Sequence, residues 1–70
     1  MDKIRNEIRR LRFEHGEMTQ QQLAEKIHLT RQTVNAIEQG KYSPSLEAAF
    51  RIAAAFGQPL ESVFHYSEDE

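Results

Sequence analysis

The sequence predicts an all-α domain built from five short helices. Three observations carry that reading. Apolar residues recur at helical spacing, and no alternating run long enough for a strand is present. Gly16, Gly40 and Gly57 each follow such a helical run, where a chain-turning residue at positive φ is wanted. Thr19, Thr30 and the Ser43-Pro44-Ser45 stretch stand just before the second, third and fourth runs, where a side-chain oxygen can satisfy free N–H groups.

The first helix is expected over residues 3–14, with Ile4, Ile8 and Leu11 as its inner stripe. The second, 20–27, opens on a capping box made by Thr19 and Gln22. The third, 31–39, is capped by Thr30 and anchored by Val34 and Ile37. The fourth, 45–56, begins at Ser43-Pro44-Ser45, where either serine can cap and proline suits a first turn. Leu46, Ala49, Phe50, Ile52, Ala53 and Phe56 cover a wide arc, with only Glu47 and Arg51 marking a polar stripe. A helix apolar nearly all round is covered on more than one side, so it is expected in the core and at a subunit contact. The fifth, 60–64, turns Leu60, Val63 and Phe64 inward. His65 to Glu70 extends that helix, frays, or pairs as a short edge with residues near Met1; the pattern supports no pairing.

Seventy residues make one small domain, 1–66, followed by an acidic tail at 67–70. So short a chain covers only about 60% of the surface it exposes when unfolded, and small domains often gain stability by oligomerising. Without cysteine there is neither a disulfide nor a thiolate metal site, and His15, His28 and His65 lack partners at ligand spacing. No metal, cofactor or small-molecule ligand is expected. Neither a membrane-length apolar run nor a signal-peptide pattern is present, which points to the cytoplasm. The net charge of −2 weighs against a polyanionic partner, but the charge is uneven. Residues 1–42 carry eight basic and six acidic side chains; residues 43–70 carry one basic and five acidic. Within a Debye length of roughly 8 Å the local field outweighs the total.

The stretch Gln20–Gln39 holds the chemistry. Two short helices meet at a tight corner, and the second turns a polar face outward, the form of a helix-turn-helix reading head over 20–39. Arg31, Gln32, Asn35 and Ala36 are the base-facing candidates. Arginine pairs bidentately with guanine, a glutamine amide with adenine, and an alanine methyl can touch thymine. Backbone-contact candidates are Gln20 and Gln21 at a helix N-terminus, Thr30, Thr33, Gln39, Lys41, Tyr42 and Ser43. Glu38 lies toward the core edge of the third helix, and Arg12 near the end of the first is its expected partner; the alternative is two solvated charges. His28 stands at the corner, where a left-handed residue is required and glycine is easiest.

The stretches MTQQQLAEKI, LTRQTVNAIEQGKYSPSLEAAFRIA and PLESVF resemble the Cro/C1-type (XRE) helix-turn-helix family of bacterial and phage transcriptional regulators over roughly residues 3–65. The resemblance implies a lambda-repressor-like fold and a stand-alone homodimer bound to double-stranded DNA. It implies Arg31, Gln32, Thr33, Asn35 and Ala36 at bases or adjoining backbone, Gln20, Lys41 and Tyr42 on phosphates, and Arg12 paired with Glu38. It also implies a subunit contact through the last helix and the C-terminal segment. Phe50, Val63, Phe64 and Tyr66 are the contact candidates. His28 departs from the family's usual glycine. The function expected is a repressor on a near-palindromic operator; the alternative is a protein-interaction module, such as an antitoxin that binds a partner protein. An enzyme is not expected, because no activated nucleophile or glycine-rich phosphate loop is present.

Overall fold

Residues 4–67 are described by the computed structural model. Among them the order is β1 (Ile4–Asn6), α1 (Ile8–Glu14), α2 (Gln20–Ile27), α3 (Arg31–Glu38), α4 (Leu46–Phe56), α5 (Leu60–Val63) and β2 (Phe64–Tyr66). The five expected helices are present, with a small two-stranded sheet added. Apart from Ser67, the expected acidic tail lies outside the described residues.

The sheet corrects the helical reading of residues 4–6 and of Phe64, and of the alternatives open for His65 and Tyr66 it is the short edge pairing that forms. Residues expected in the first turns of helix one form β1, which runs antiparallel to β2 with Ile4 opposite Tyr66, Arg5 opposite His65 and Asn6 opposite Phe64. The Glu7 amide continues the ladder by donating to the Val63 carbonyl at 2.9 Å. Ile4 is therefore 37% exposed and forms no inner stripe, whereas Ile8 and Leu11 are buried. Asn6 is the hinge between sheet and bundle. Its Oδ1 accepts from the Ile8 amide at 3.1 Å, and its Nδ2 donates to the Ile37 carbonyl at 3.0 Å, which ties β1 to the end of α3.

The corner between α2 and α3 follows from its caps. Thr19 Oγ1 accepts from the Gln22 amide and Gln22 Oε1 accepts from the Thr19 amide, completing the capping box. Thr30 Oγ1 accepts from the Thr33 amide at 3.1 Å and starts α3. Between them His28 adopts φ 63° and ψ 39°, and the Leu29 amide donates back to the Ala24 carbonyl at 3.0 Å. Arg51 on α4 donates to the Ile27 carbonyl at 3.3 Å, satisfying an orphan acceptor at the end of α2. A Cβ in the left-handed region costs about 1–2 kcal/mol. Glycine would remove that strain but add about 0.5–1 kcal/mol of chain entropy to the folding cost. His28→Gly is expected to stabilise the fold by roughly 0.5–1 kcal/mol on these terms. Thermal unfolding checks it, and a lowered midpoint would show that the imidazole contributes more than its strain.

Ser45, rather than Ser43, caps α4, its Oγ accepting from the Ala48 amide at 3.1 Å; Pro44 stands before the cap. Gly57 ends the helix at φ 64°. Ala48, Ala49, Ile52, Ala53 and Phe56 are buried, but Leu46 and Phe50, four residues apart, remain 69% and 54% exposed. The wide apolar arc of this helix is thus split between the core and an uncovered row. His15 joins the ends of α1 and α4: its ring lies 5.2 Å from that of Phe56, with Nε2 3.1 Å from the Phe56 carbonyl. Met18, in the loop after α1, is also buried in the core.

Candidate nucleic-acid interface

α3 is held by two side chains with almost no exposure, Val34 at 1% and Ile37 at 2%. Three residues apart, they fix the rotation of the helix and so decide which residues face outward. Arg31 and Gln32, in the first turn, are exposed; Thr33, Asn35 and Ala36 are half-buried; Gln39 is exposed. Arg31, Gln32 and Asn35 are therefore all reachable from outside the bundle, and none is enclosed within it. Lys41, Tyr42 and Ser43 come next as an exposed loop, with Tyr42 55% exposed. The chain turns into this loop through Gly40 at φ 78°, and the Lys41 amide donates to the Ala36 carbonyl at 2.9 Å.

Behind the exposed face lies a polar network that fastens α1, α2 and α3 together. Arg12 grips Glu38 with both ends of its fork, Nε to Oε2 at 2.7 Å and Nη2 to Oε1 at 3.1 Å. The remaining Nη1 donates to the Met18 carbonyl at 2.7 Å. The two side chains are only 10% and 9% exposed, so this pair is desolvated. Gln20 Nε2 donates to Glu38 Oε1 and to Asn35 Oδ1, each at 3.0 Å. Gln39 Nε2 reaches the same Asn35 oxygen at 3.3 Å.

This network changes the role expected of Gln20. Its side chain is committed inward, so it has no amide hydrogen to spare for a phosphate; only its backbone N–H, in the first turn of α2, points away from intrahelical partners. Gln21 is exposed and its Nε2 lies 3.2 Å from Glu25. Thr30 and Thr33 share a hydroxyl contact of 3.0 Å, which turns the Thr30 hydroxyl toward its own helix.

Of the subunit-contact candidates, Val63 is corrected. It is 0% exposed, packed in its own core, and has no surface left to offer a second copy. Phe64 is half-buried against that core. Phe50 and Tyr66 are 54% and 63% exposed. Two contributors escaped the sequence reading. Arg51 had a visible signal in its four-residue spacing from Glu47, which it meets at 2.6 Å, but not in its contact with α2. Asn6 had none, since its role depends on a strand three residues long.

The helix-turn-helix family model matches residues 8–63. An uncharacterized HTH-type transcriptional regulator of Methanocaldococcus jannaschii is 46% identical over 67 residues, covering 96% of this chain and 100% of that protein. One from Methanothermobacter thermautotrophicus is 49% identical, covering 94% of this chain and 96% of its own. One from Bacillus subtilis is 42% identical, covering 94% and 98%. The fold is similar to the crystal structure of a candidate DNA-binding protein from Bacteroides fragilis, with a TM-score of 0.77 at 21% identity over 89% of this chain and 98% of the other.

Proposed function

The chain belongs to the Cro/C1-type helix-turn-helix family of transcriptional regulators, a family of DNA-binding proteins and not of enzymes, and from that premise we propose that it is a sequence-specific repressor acting as a homodimer on a near-palindromic operator. The observation that carries this reading is the buried pair Val34 and Ile37, which leaves the first turns of α3 facing outward. An α-helix fits the major groove, and residues of its first turns reach base edges. In this reading Arg31 and Gln32 take bases, Asn35 and Ala36 follow one turn on, and Gln21, Gln39, Lys41, Tyr42 and Ser43 hold the sugar–phosphate backbone. Thr30 and Thr33 act mainly by shaping the start of α3, and the Gln20 side chain braces Asn35 and Glu38 from behind. Two such helices, about 34 Å apart in a two-fold dimer, would enter successive major grooves on one side of the duplex. Phe50 and Tyr66, exposed aromatics, are the contact residues that fit a second copy. Residues 1–66 act as the single domain, working in the cytoplasm, and a bound dimer blocks polymerase access.

Selection from a random DNA pool, followed by fluorescence anisotropy across a salt series, tests this. Arg31→Ala should weaken operator binding by about 1–3 kcal/mol and relax the preference at one position. Lys41→Ala should weaken all DNA alike and flatten the salt slope by about 1. Unchanged selectivity in Arg31→Ala would remove that residue from the base readers. Absence of any salt-sensitive affinity would overturn the DNA reading, and a protein that sediments only as monomer when bound would overturn the two-half-site arrangement.

A further inference from the structure

The amide of Asn35 stands at the end of a hydrogen-bond chain whose direction is fixed by charge. A guanidinium only donates and a carboxylate only accepts. Glu38, gripped by Arg12, must therefore meet Gln20 through the amide nitrogen, Nε2 at 3.0 Å, and not through the amide oxygen. That nitrogen carries a second hydrogen, directed at Asn35 3.0 Å away, so the atom that receives it is the acceptor Oδ1. Gln39 Nε2 donates to the same oxygen at 3.3 Å. Both acceptor directions of Oδ1 are thus taken within the protein. The other end of the amide, Nδ2, has two hydrogens and no acceptor among the described residues.

A free asparagine offers one donor and one acceptor, which matches adenine N6 and N7. Asn35 offers donors alone. The major-groove edge that presents two acceptors side by side is that of guanine, O6 and N7, while the amino groups of adenine and cytosine would face hydrogen with hydrogen. We propose that the Arg12–Glu38–Gln20 chain sets the base preference of Asn35, making it a guanine reader, with Gln20 as the positioning residue. The proposal rests on α3 being the groove-facing helix. It differs from a stabilising role for the network, because it concerns which base is chosen and not how tightly the helix is held.

The test separates these. Fragments are selected from a random DNA pool with the wild type and with Asn35→Ala, Gln20→Met and Gln20→Lys. The position that loses its preference in Asn35→Ala is the one Asn35 reads, and in the wild type it should be guanine, favoured over adenine by roughly ten- to a hundredfold. Gln20→Met removes the donor whose direction the Glu38 carboxylate fixes; Gln39, whose own amide can turn over with that of Asn35, does not fix it alone, so the ratio should fall toward one while circular dichroism stays unchanged. Gln20→Lys restores a donor to both Glu38 and Asn35 and should restore the ratio, whatever its effect on overall affinity. In the free protein, side-chain amide NMR should show slow exchange for the Gln20 protons and fast exchange for those of Asn35. Any base other than guanine at that position in the wild type, an unchanged ratio in Gln20→Met, no position altered in Asn35→Ala, or protected Asn35 protons would each overturn the proposal. If the exchange pattern holds but no sequence is selected, the groove-facing premise itself fails and takes the base preference with it.

Discussion

Arg12→Ala is expected to cost about 3–5 kcal/mol of folding stability. The truncation leaves Glu38, 9% exposed at its side chain, without the cation that compensates its burial, and strips the Met18 carbonyl of its donor. A domain of this length has a total stability of only about 4–10 kcal/mol, taking about 0.05–0.15 kcal/mol per residue. The variant should therefore lose about a third or more of its stability, and at the low end of that range it should be largely unfolded at room temperature. Urea titration followed by circular dichroism reads the loss directly. A loss below about 1 kcal/mol would show the pair behaving as a solvated surface contact. The double replacement Arg12→Met with Glu38→Leu should recover most of the stability, because two apolar groups of similar size leave no charge stranded. It would not recover the orientation of Gln20, which depends on a carboxylate.

Ile37→Ala should cost about 2–5 kcal/mol, the loss of buried methyl groups plus the cavity left behind. Ile37 is 2% exposed and sits where α3, the Asn6 side chain and the Gly40 turn converge. Its carbonyl keeps both donors in the variant, since they bind the backbone, so the change isolates packing from hydrogen bonding. The urea midpoint should fall with the slope unchanged, as for a loss of stability without a change in the surface exposed. Under conditions where the variant is still folded, DNA affinity should fall as well, because the rotation of α3 is set by this side chain and Val34. Full affinity alongside the full stability loss would mean that Val34 alone orients the helix.

The parts of the fold written in local chemistry were legible in the sequence. α2 and α3 begin where Thr19 and Thr30 place their hydroxyls, and they end within a residue of the expected bounds. The Arg12–Glu38 pair was legible because a helical wheel puts Glu38 at the core edge, and a carboxylate there needs a cation. What needed three dimensions was not legible. Strands of three residues are too short to show alternation, so Ile4 and Phe64 read as helical and Asn6 drew no notice. Val63 read equally well as core or contact, and only packing decides that it is core. Leu46 lies on the apolar arc of α4, yet at the first position of that helix it stays 69% exposed. A helical wheel sets Asn35 to one side of the outward face of α3, where it is half-buried, but cannot reveal which end of its amide is turned outward. That depends on Gln20, fifteen residues earlier, and through it on the charge of Glu38.

The pairing of Ile4 with Tyr66 closes the described residues into a ring in all but covalent terms. A pull applied between Ile4 and Tyr66 is resisted first by the three rungs of this clasp, loaded one after another as a zipper is. Once those rungs part, Asn6 is the next link, and it is attached to the last turn of α3. Mechanical load on β1 is thereby routed to the helix that faces outward.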